Sequence, residues 1–399
     1  MFTAKQIDRY ADILIWGLTT ARKKKFKKND LVLIRFHHPA LLLAEVLYDK
    51  LLRMGLTPVH RMETTPAMEH SYYQNATPAQ LTVRFPGDKE LFENLNGYIF
   101  LHAPESITHL RDIDPARIGK VAVARKYLRD ILDAREEKGL FGWTLCSLPT
   151  EEQARHARLP LKDYTRQIVS ACFLNKKSPV AQWQQIYRDA IAIKKWLKSL
   201  RIQSLRVESA SMDLEVSLGE KRKWVGLSGH NLPSFELFTS PDWRGTQGVY
   251  FADQPSFRSG NYVEGVRLEF KNGSVVKATA QTGEAFVKKQ LAMDPGARRL
   301  GEFSLTDKRF SKINAFMANT LYDENYGGRF GNCHVAVGSS YSDAFDGDPA
   351  KLTPEIKKSL GFNSSALHWD LVNTEKKRVT ATATGGKPVV IYENGKFLY

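Results

Sequence analysis

Apolar and polar positions change rhythm near the middle of the chain. In the first half, short apolar runs alternate with stretches whose apolar residues recur at a helical period. LVLIRF (31–36), TPVHRM (57–62), NGYIFLHA (96–103) and GWTLCSL (142–148) read as strands. Pro39 to Met54 and Val180 to Leu200 read as helices, the second carrying Trp183, Ile186, Ile191, Ile193 and Trp196 among polar residues. Strands alternating with helices predict an α/β domain with a parallel sheet. No GxGxxG follows a strand, so nothing in this half points to a dinucleotide.

After about residue 203 the texture becomes that of short β-rich runs: SLRVES, MDLEVSL, KRKWVGL, GVYFAD, GVRLEF and SVVKATA. Turn signals such as Asn272-Gly273 separate them, and Glu284 to Met293 reads as a helix. The pattern predicts an α+β C-terminal domain dominated by antiparallel sheet. The domains expected are 1–203 and 204–399.

A chain of 399 residues exceeds one ordinary core, which agrees with two domains. Its 42% hydrophobic and 25% charged residues are those of a folded soluble protein. No run of 18 apolar residues exists, so no membrane-spanning helix is expected. The start, MFTAKQIDRY, lacks the apolar core of a signal peptide. Cys146, Cys172 and Cys333 are scattered and form no metal module or disulfide framework, which suits a reducing cytoplasm. The net charge of +15 raises nucleic acid as a partner. Its densest run, Arg22, Lys23, Lys24, Lys25, Lys27 and Lys28, reads as a solvated helix end facing the helix dipole. No nucleic-acid-binding signature accompanies it, so no nucleic-acid partner is expected.

Candidate chemistry gathers in the second half, in four patches. Glu236 lies in a short strand between Pro233 and Pro241 (PSFELFTSP), and Glu302 in an otherwise apolar strand (RLGEFSL). An acid there is costly to bury unless paired or bound to metal. NTLYDENYGGRFGNCHVAVGSSY holds Asp323, Glu324, His334 and Tyr341 around a Gly-rich loop. In SALHWDLV, His368 and Asp370 are spaced i, i+2, which puts both on one face of a strand. Each patch alone is weak, and spacing alone leaves a metal site and a set of structural acids both open.

The ordered series ELFTSP, LGEFSL, NTLYDEN, CHVAVGSSY and GFNSSALHWDLV resembles the aminopeptidase T family of thermophilic metallopeptidases. That resemblance implies a metal-dependent aminopeptidase that releases N-terminal residues from peptides with water activated by two divalent metal ions. Carried over by position, it makes Glu236 and Asp370 terminal ligands, Glu302 the bridging carboxylate, and His334 and His368 the imidazole ligands. Glu324 falls on a further carboxylate, either ligand or proton shuttle. Tyr341 falls on a site tyrosine that binds metal or polarises the scissile carbonyl. Catalytic roles thus fall on Glu302, Glu324 and Tyr341. Zinc is the ion expected, with cobalt, manganese and magnesium as alternatives. The resemblance also implies a homodimer.

The chain departs from the family pattern in YGGRFGNC (326–333), a longer link whose glycines predict a flexible excursion that re-aims Glu324 or shapes the pocket. Two rival readings stand beside the peptidase: a non-catalytic basic binding protein and a two-metal phosphoesterase. His37 and His38 are expected to cap a strand end, and Asp294-Pro295-Gly296 to form a turn before the Glu302 strand.

Overall fold

In the computed structural model of the chain, which describes residues 2–348 and 351–399, the contacts divide into two units. The first comprises residues up to Trp183 together with Ser228–Ser234, and the second Gln184–Leu227 and Phe235–Tyr399. The division falls inside the helix Pro179–Ser199 rather than at the change of texture near 203. The reason is local: Trp183 stacks on Trp16 and meets Phe173 edge-on, so the first turn of that helix packs with the N-terminal half.

The first unit has the parallel sheet that the alternation predicts. Strands β1 (Leu31–Phe36), β2 (Thr57–Met62), β3 (Leu95–His102) and β4 (Gly142–Ser147) stand in the order β2-β1-β3-β4, and Asn231–Leu232 adds a short parallel strand beside β4. Helix Ala4–Ala21 starts from a capping box between Thr3 and Gln6 and buries Ile7, Tyr10, Ala11, Leu14 and Leu18 along one stripe. His37 closes the end of β1 as expected. Its N–H donates to the Leu101 carbonyl, and its Nδ1 accepts from the Ala103 N–H. His38 instead opens a 3-10 turn. The basic run differs from its reading in one residue: Arg22 is buried, pairs with Asp30 at 2.5 Å and lies over the Phe26 ring.

The second unit contains two main antiparallel sheets and a two-stranded hairpin, Ser256–Arg258 with Asn261–Val263. The larger has eight strands in the order 274–279, 266–271, 247–252, 213–217, 202–208, 378–383, 388–393 and 396–397. The smaller has four: β5 (Glu236–Thr239), β6 (Leu300–Thr306), β7 (Asn332–Gly338) and β8 (His368–Asn373), in the order β8-β7-β6-β5. Two tyrosines of the larger sheet tie it to the smaller. Tyr250 donates to the Cys333 and Leu371 carbonyls, and Tyr392 to that of Thr306. KRKWVGL is not a strand. Lys221, Gly226 and Leu227 have positive φ, which breaks the extended run, and only isolated bridges remain. Its Trp224 nevertheless packs edge-on against Phe303. Among the described residues no helix is long and apolar enough to cross a membrane.

A bulge between Leu300 and Glu302 resets the register of β6 against β7. It is built on Gly301, where a Cβ would stand 2.3 Å from the Ser339 carbonyl oxygen and 2.5 Å from that of Gly338. Gly301→Ala should therefore push β7 away from β6 and destabilise the protein by about 1–3 kcal/mol. A denaturant-unfolding midpoint equal to that of the unaltered chain would sink this account of the bulge.

Candidate metal centre

Register and the two-residue strand period decide which side chains meet above the smaller sheet. Ala336 of β7 stands between Glu302 of β6 and Asp370 of β8. Ser304 stands between Phe238 of β5 and His334 of β7. Glu236 is opposite Thr306, and His368 is opposite Gly338. One face therefore carries Glu236, Glu302, His334, His368 and Asp370. The positions among them are Ser304, Ala336 and Gly338, small enough to leave room over the sheet. The other face carries Leu237, Phe303, Leu305, Val335, Val337 and Leu371, all buried.

The five side chains converge. His334 Nε2 lies 3.1 Å from Glu302 Oε1, 3.3 Å from Glu236 Oε2 and 3.9 Å from Asp370 Oδ1. His368 Nε2 lies 3.4 Å from Asp370 Oδ1 and 3.7 Å from Glu302 Oε2. Glu236, Glu302 and His334 form one trio able to hold a metal ion, and Glu302, His368 and Asp370 form another. Glu302 belongs to both, turning one oxygen to each histidine. Three of the five are buried, His334 being 1% exposed, Glu302 3% and Glu236 5%, while His368 and Asp370 are half-buried.

Glu324 and Tyr341 stand differently. Glu324 is buried beside the acids but belongs to neither trio. It caps the one-turn helix Thr320–Asp323, and its neighbours fix that turn. Asp323 accepts the N–H groups of Met317 and Asn319 at 2.7 and 2.8 Å. Asn325 accepts the Phe235 N–H at 2.6 Å, just before β5, and donates to the Leu321 carbonyl. The Tyr341 ring lies 4.7 Å from the His368 ring, and the Tyr341 N–H donates to Ser240 Oγ.

The link 326–333 is no loose excursion. Asn332 donates to the Glu324 and Tyr326 carbonyls, Gly327 N–H to that of Ile313, and Lys308 to that of Arg329. A Cβ at Gly331 would stand 2.1 Å from the Tyr392 hydroxyl. The glycines allow close packing rather than freedom.

Several supports were not singled out from the sequence. Ser304 Oγ donates to Glu236 Oε2 at 3.0 Å. The Ser339 carbonyl meets His368 Nδ1 at 2.9 Å, which turns Nε2 towards the acids as the nitrogen able to take a metal ion. Asn363 donates to the Gly296 and Gly338 carbonyls. Asp294, expected only to shape a turn, does so by accepting from Gly296 and Ala297, and also accepts from Ser365 and Ala366 before β8. Only the i, i+2 alternation within β6 could have flagged one of these, Ser304.

A family model described as thermophilic metalloprotease (M29) matches residues 3–397, nearly the whole chain. The chain belongs to the M29 metalloprotease family. Aminopeptidase T of Thermus aquaticus is 30% identical over 309 residues, spanning 72% of this chain and 73% of that one. Aminopeptidase 2 of Geobacillus stearothermophilus is 29% identical over 334 residues, 78% of each. The solved structure of wild-type AmpT from Thermus thermophilus superposes over the full length of both chains, with a TM-score of 0.81 at 22% identity. That likeness shows a shared fold.

Imidazole nitrogens set among carboxylates are a donor set that divalent ions take, so the M29 centre fits a metal. Its protons show what an ion must displace. Burial alone would lower the pKa of His334, but the Glu302 hydrogen bond and the charges of Glu236 and Asp370 carry it to about 9. His368 reaches about 9 against the same burial through Asp370 and Glu302. Burial among like charges lifts Glu236 to about 7 and Glu324 well above the carboxylate range. Asp370, despite burial, is held near about 2 by His368, His334 and Arg258.

Both imidazoles thus carry a proton in the metal-free chain until the pH passes about 9. Ligation requires the neutral ring, so protons compete with the metal throughout that range. Affinity for zinc should rise by about tenfold to a hundredfold per pH unit between pH 7 and 9. Calorimetry in buffers of different ionisation enthalpy should show net proton release at pH 7. Affinity that is flat or falls with rising pH would contradict this charge assignment.

Proposed function

We propose that this metalloprotease is an aminopeptidase that holds two divalent ions over the smaller sheet. The observation that carries the reading is Glu302, whose two oxygens face separate histidines and complete two donor trios. Glu236 and His334 flank it on one side, with His368 and Asp370 on the other. Ions held there supply Lewis acidity, polarising a peptide carbonyl and lowering the pKa of water towards about 7. Zinc is the ion we assign, because the mixed imidazole and carboxylate set suits it, with cobalt and manganese next.

The remaining work falls to the chain's own groups. Glu324, close to the acids but outside both trios, takes the proton from the attacking water and passes it to the leaving amine. Tyr341 donates its hydroxyl to the carbonyl oxygen as negative charge develops there. The curated relatives named aminopeptidases support cleavage at the N-terminus. Membership of a metalloprotease family whose curated relatives are named aminopeptidases weighs against a phosphoesterase. Burial of the acids in one cluster, with membership of a metalloprotease family, weighs against a basic binding protein. The three cysteines are buried and unpaired, which supports a cytoplasmic enzyme. A homodimer completes the reading and rests on family resemblance alone.

Glu302→Gln removes the shared charge while keeping the shape. It should lower aminoacyl-nitroanilide hydrolysis more than about a hundredfold. Bound metal, measured by emission spectroscopy, should fall from two ions per chain to one or fewer, with the far-ultraviolet dichroism unchanged. Metal-loaded wild-type protein that releases no N-terminal residue from a panel of peptides would defeat the aminopeptidase reading.

A further inference from the structure

A small cavity of about 20 Å³ opens beside Asp370, between Pro255, Phe257, Ala318, Thr320 and Val372. Val372 lies two residues beyond Asp370 in β8, opposite His334, and so on the ligand-bearing face. In an aminopeptidase the scissile carbonyl and the α-amino group both lie at the metal centre, so the first side chain leaves from there. We propose that this cavity receives the side chain of the N-terminal residue and selects small ones: glycine, alanine and serine. The proposal rests on the aminopeptidase reading and adds the substrate class.

Size is the first argument. A cavity must exceed about 10–15 Å³ by this measure to hold one water molecule. At about 20 Å³ it takes a methyl or hydroxymethyl group, not an isobutyl chain or a phenyl ring. Rigidity is the second, because a narrow pocket selects only if its walls do not yield. One wall, the loop through Ala318, is fixed by Asp323, whose two oxygens accept the N–H groups on either side of it, from Met317 and Asn319. The other is the hairpin whose strands are Ser256–Arg258 and Asn261–Val263. Trp369 Nε1 donates to Ser256 Oγ at 3.0 Å, and Arg258 donates to the His368 carbonyl at 2.9 Å and to Gln290. Both anchors of the hairpin belong to the strand that bears His368 and Asp370. The pocket thus keeps its width and its place relative to the ligands.

Chemistry of the wall agrees. Asn319, Thr320 and Asp323 line the cavity with Asp370, so part of its wall is polar and tolerates a serine hydroxyl. A rigid pocket that rejects added methylenes discriminates by roughly tenfold to two-hundredfold.

The test is a panel of aminoacyl-nitroanilides on the metal-loaded full-length protein. The kcat/KM for alanine should exceed those for leucine, phenylalanine and arginine at least about tenfold. Phe257→Ala and Val372→Ala, each of which widens the cavity, should shift the leucine-to-alanine ratio towards leucine by about tenfold. Free L-alanine should bind the wild-type protein more tightly than L-leucine by calorimetry, a readout independent of turnover. A wild-type preference for leucine, phenylalanine or arginine, or a ratio unmoved in both variants, overturns the pocket. Cleavage of any member of the panel upholds the aminopeptidase reading whichever side chain wins, so the two failures are separable.

Discussion

Glu236, Glu302 and Glu324 are buried close together beside the half-buried Asp370, and the smaller sheet is arranged around that repulsion. Like charges a few ångströms apart in a poorly hydrated site repel by several kcal/mol at an effective dielectric near 20. The metal-free chain meets this with protons: on His334 and His368, whose pKa values climb to about 9, and on Glu324, pushed far above the carboxylate range by burial. Divalent ions bound there would replace the imidazole protons with greater charge. The cluster is unfavourable as a fold element and favourable as a donor set. Structural acids in a strand would instead meet arginine or lysine, as Asp213 meets Arg206 at the surface.

Holding such a cluster requires neighbours that do not yield. Within the DEN triplet, Asp323 fixes the preceding loop, Asn325 fixes the approach to β5, and Glu324 between them faces the acids. Small residues at Ser304, Ala336 and Gly338 keep the sheet surface open where the ligands lean inward. The bulge at Gly301 sets the register that places Glu302 level with Asp370 across Ala336.

Much of this was legible along the chain. The four parallel strands appear within a residue of their sequence-predicted ends, and β1, β3 and β4 do so because each is a short, mostly apolar run. Glu302 was conspicuous as an acid in an apolar strand. The His368–Asp370 spacing keeps both on one face, as a period of two requires. Glu324 was harder: it sits on a one-turn helix, too short for any periodic signal, and stood as one of several acids in its patch until the resemblance gave it a role. Ser304, Gly301 and Asn325 act through partners across strand register or far along the chain, which a one-dimensional pattern does not contain. KRKWVGL misled because its apolar residues suit a strand, while the positive φ at Lys221 and Leu227 is set by the surrounding fold.

The Gly-rich link shows how composition can suggest the opposite of structure. Gly327, Gly328 and Gly331 in a span of five residues would be mobile in an isolated peptide, since glycine has the largest backbone entropy to lose. Here the absent side chains let the backbone approach Ser311 and Tyr392 closely enough for hydrogen bonds to hold it. Asn332 then bonds back to the carbonyls of Glu324 and Tyr326. Lengthening the link therefore leaves Glu324 fixed from both sides, by Asp323 and Asn325 within its own turn and by Asn332 beyond it. The proton-passing role proposed for Glu324 needs a constant distance to its partners more than it needs freedom.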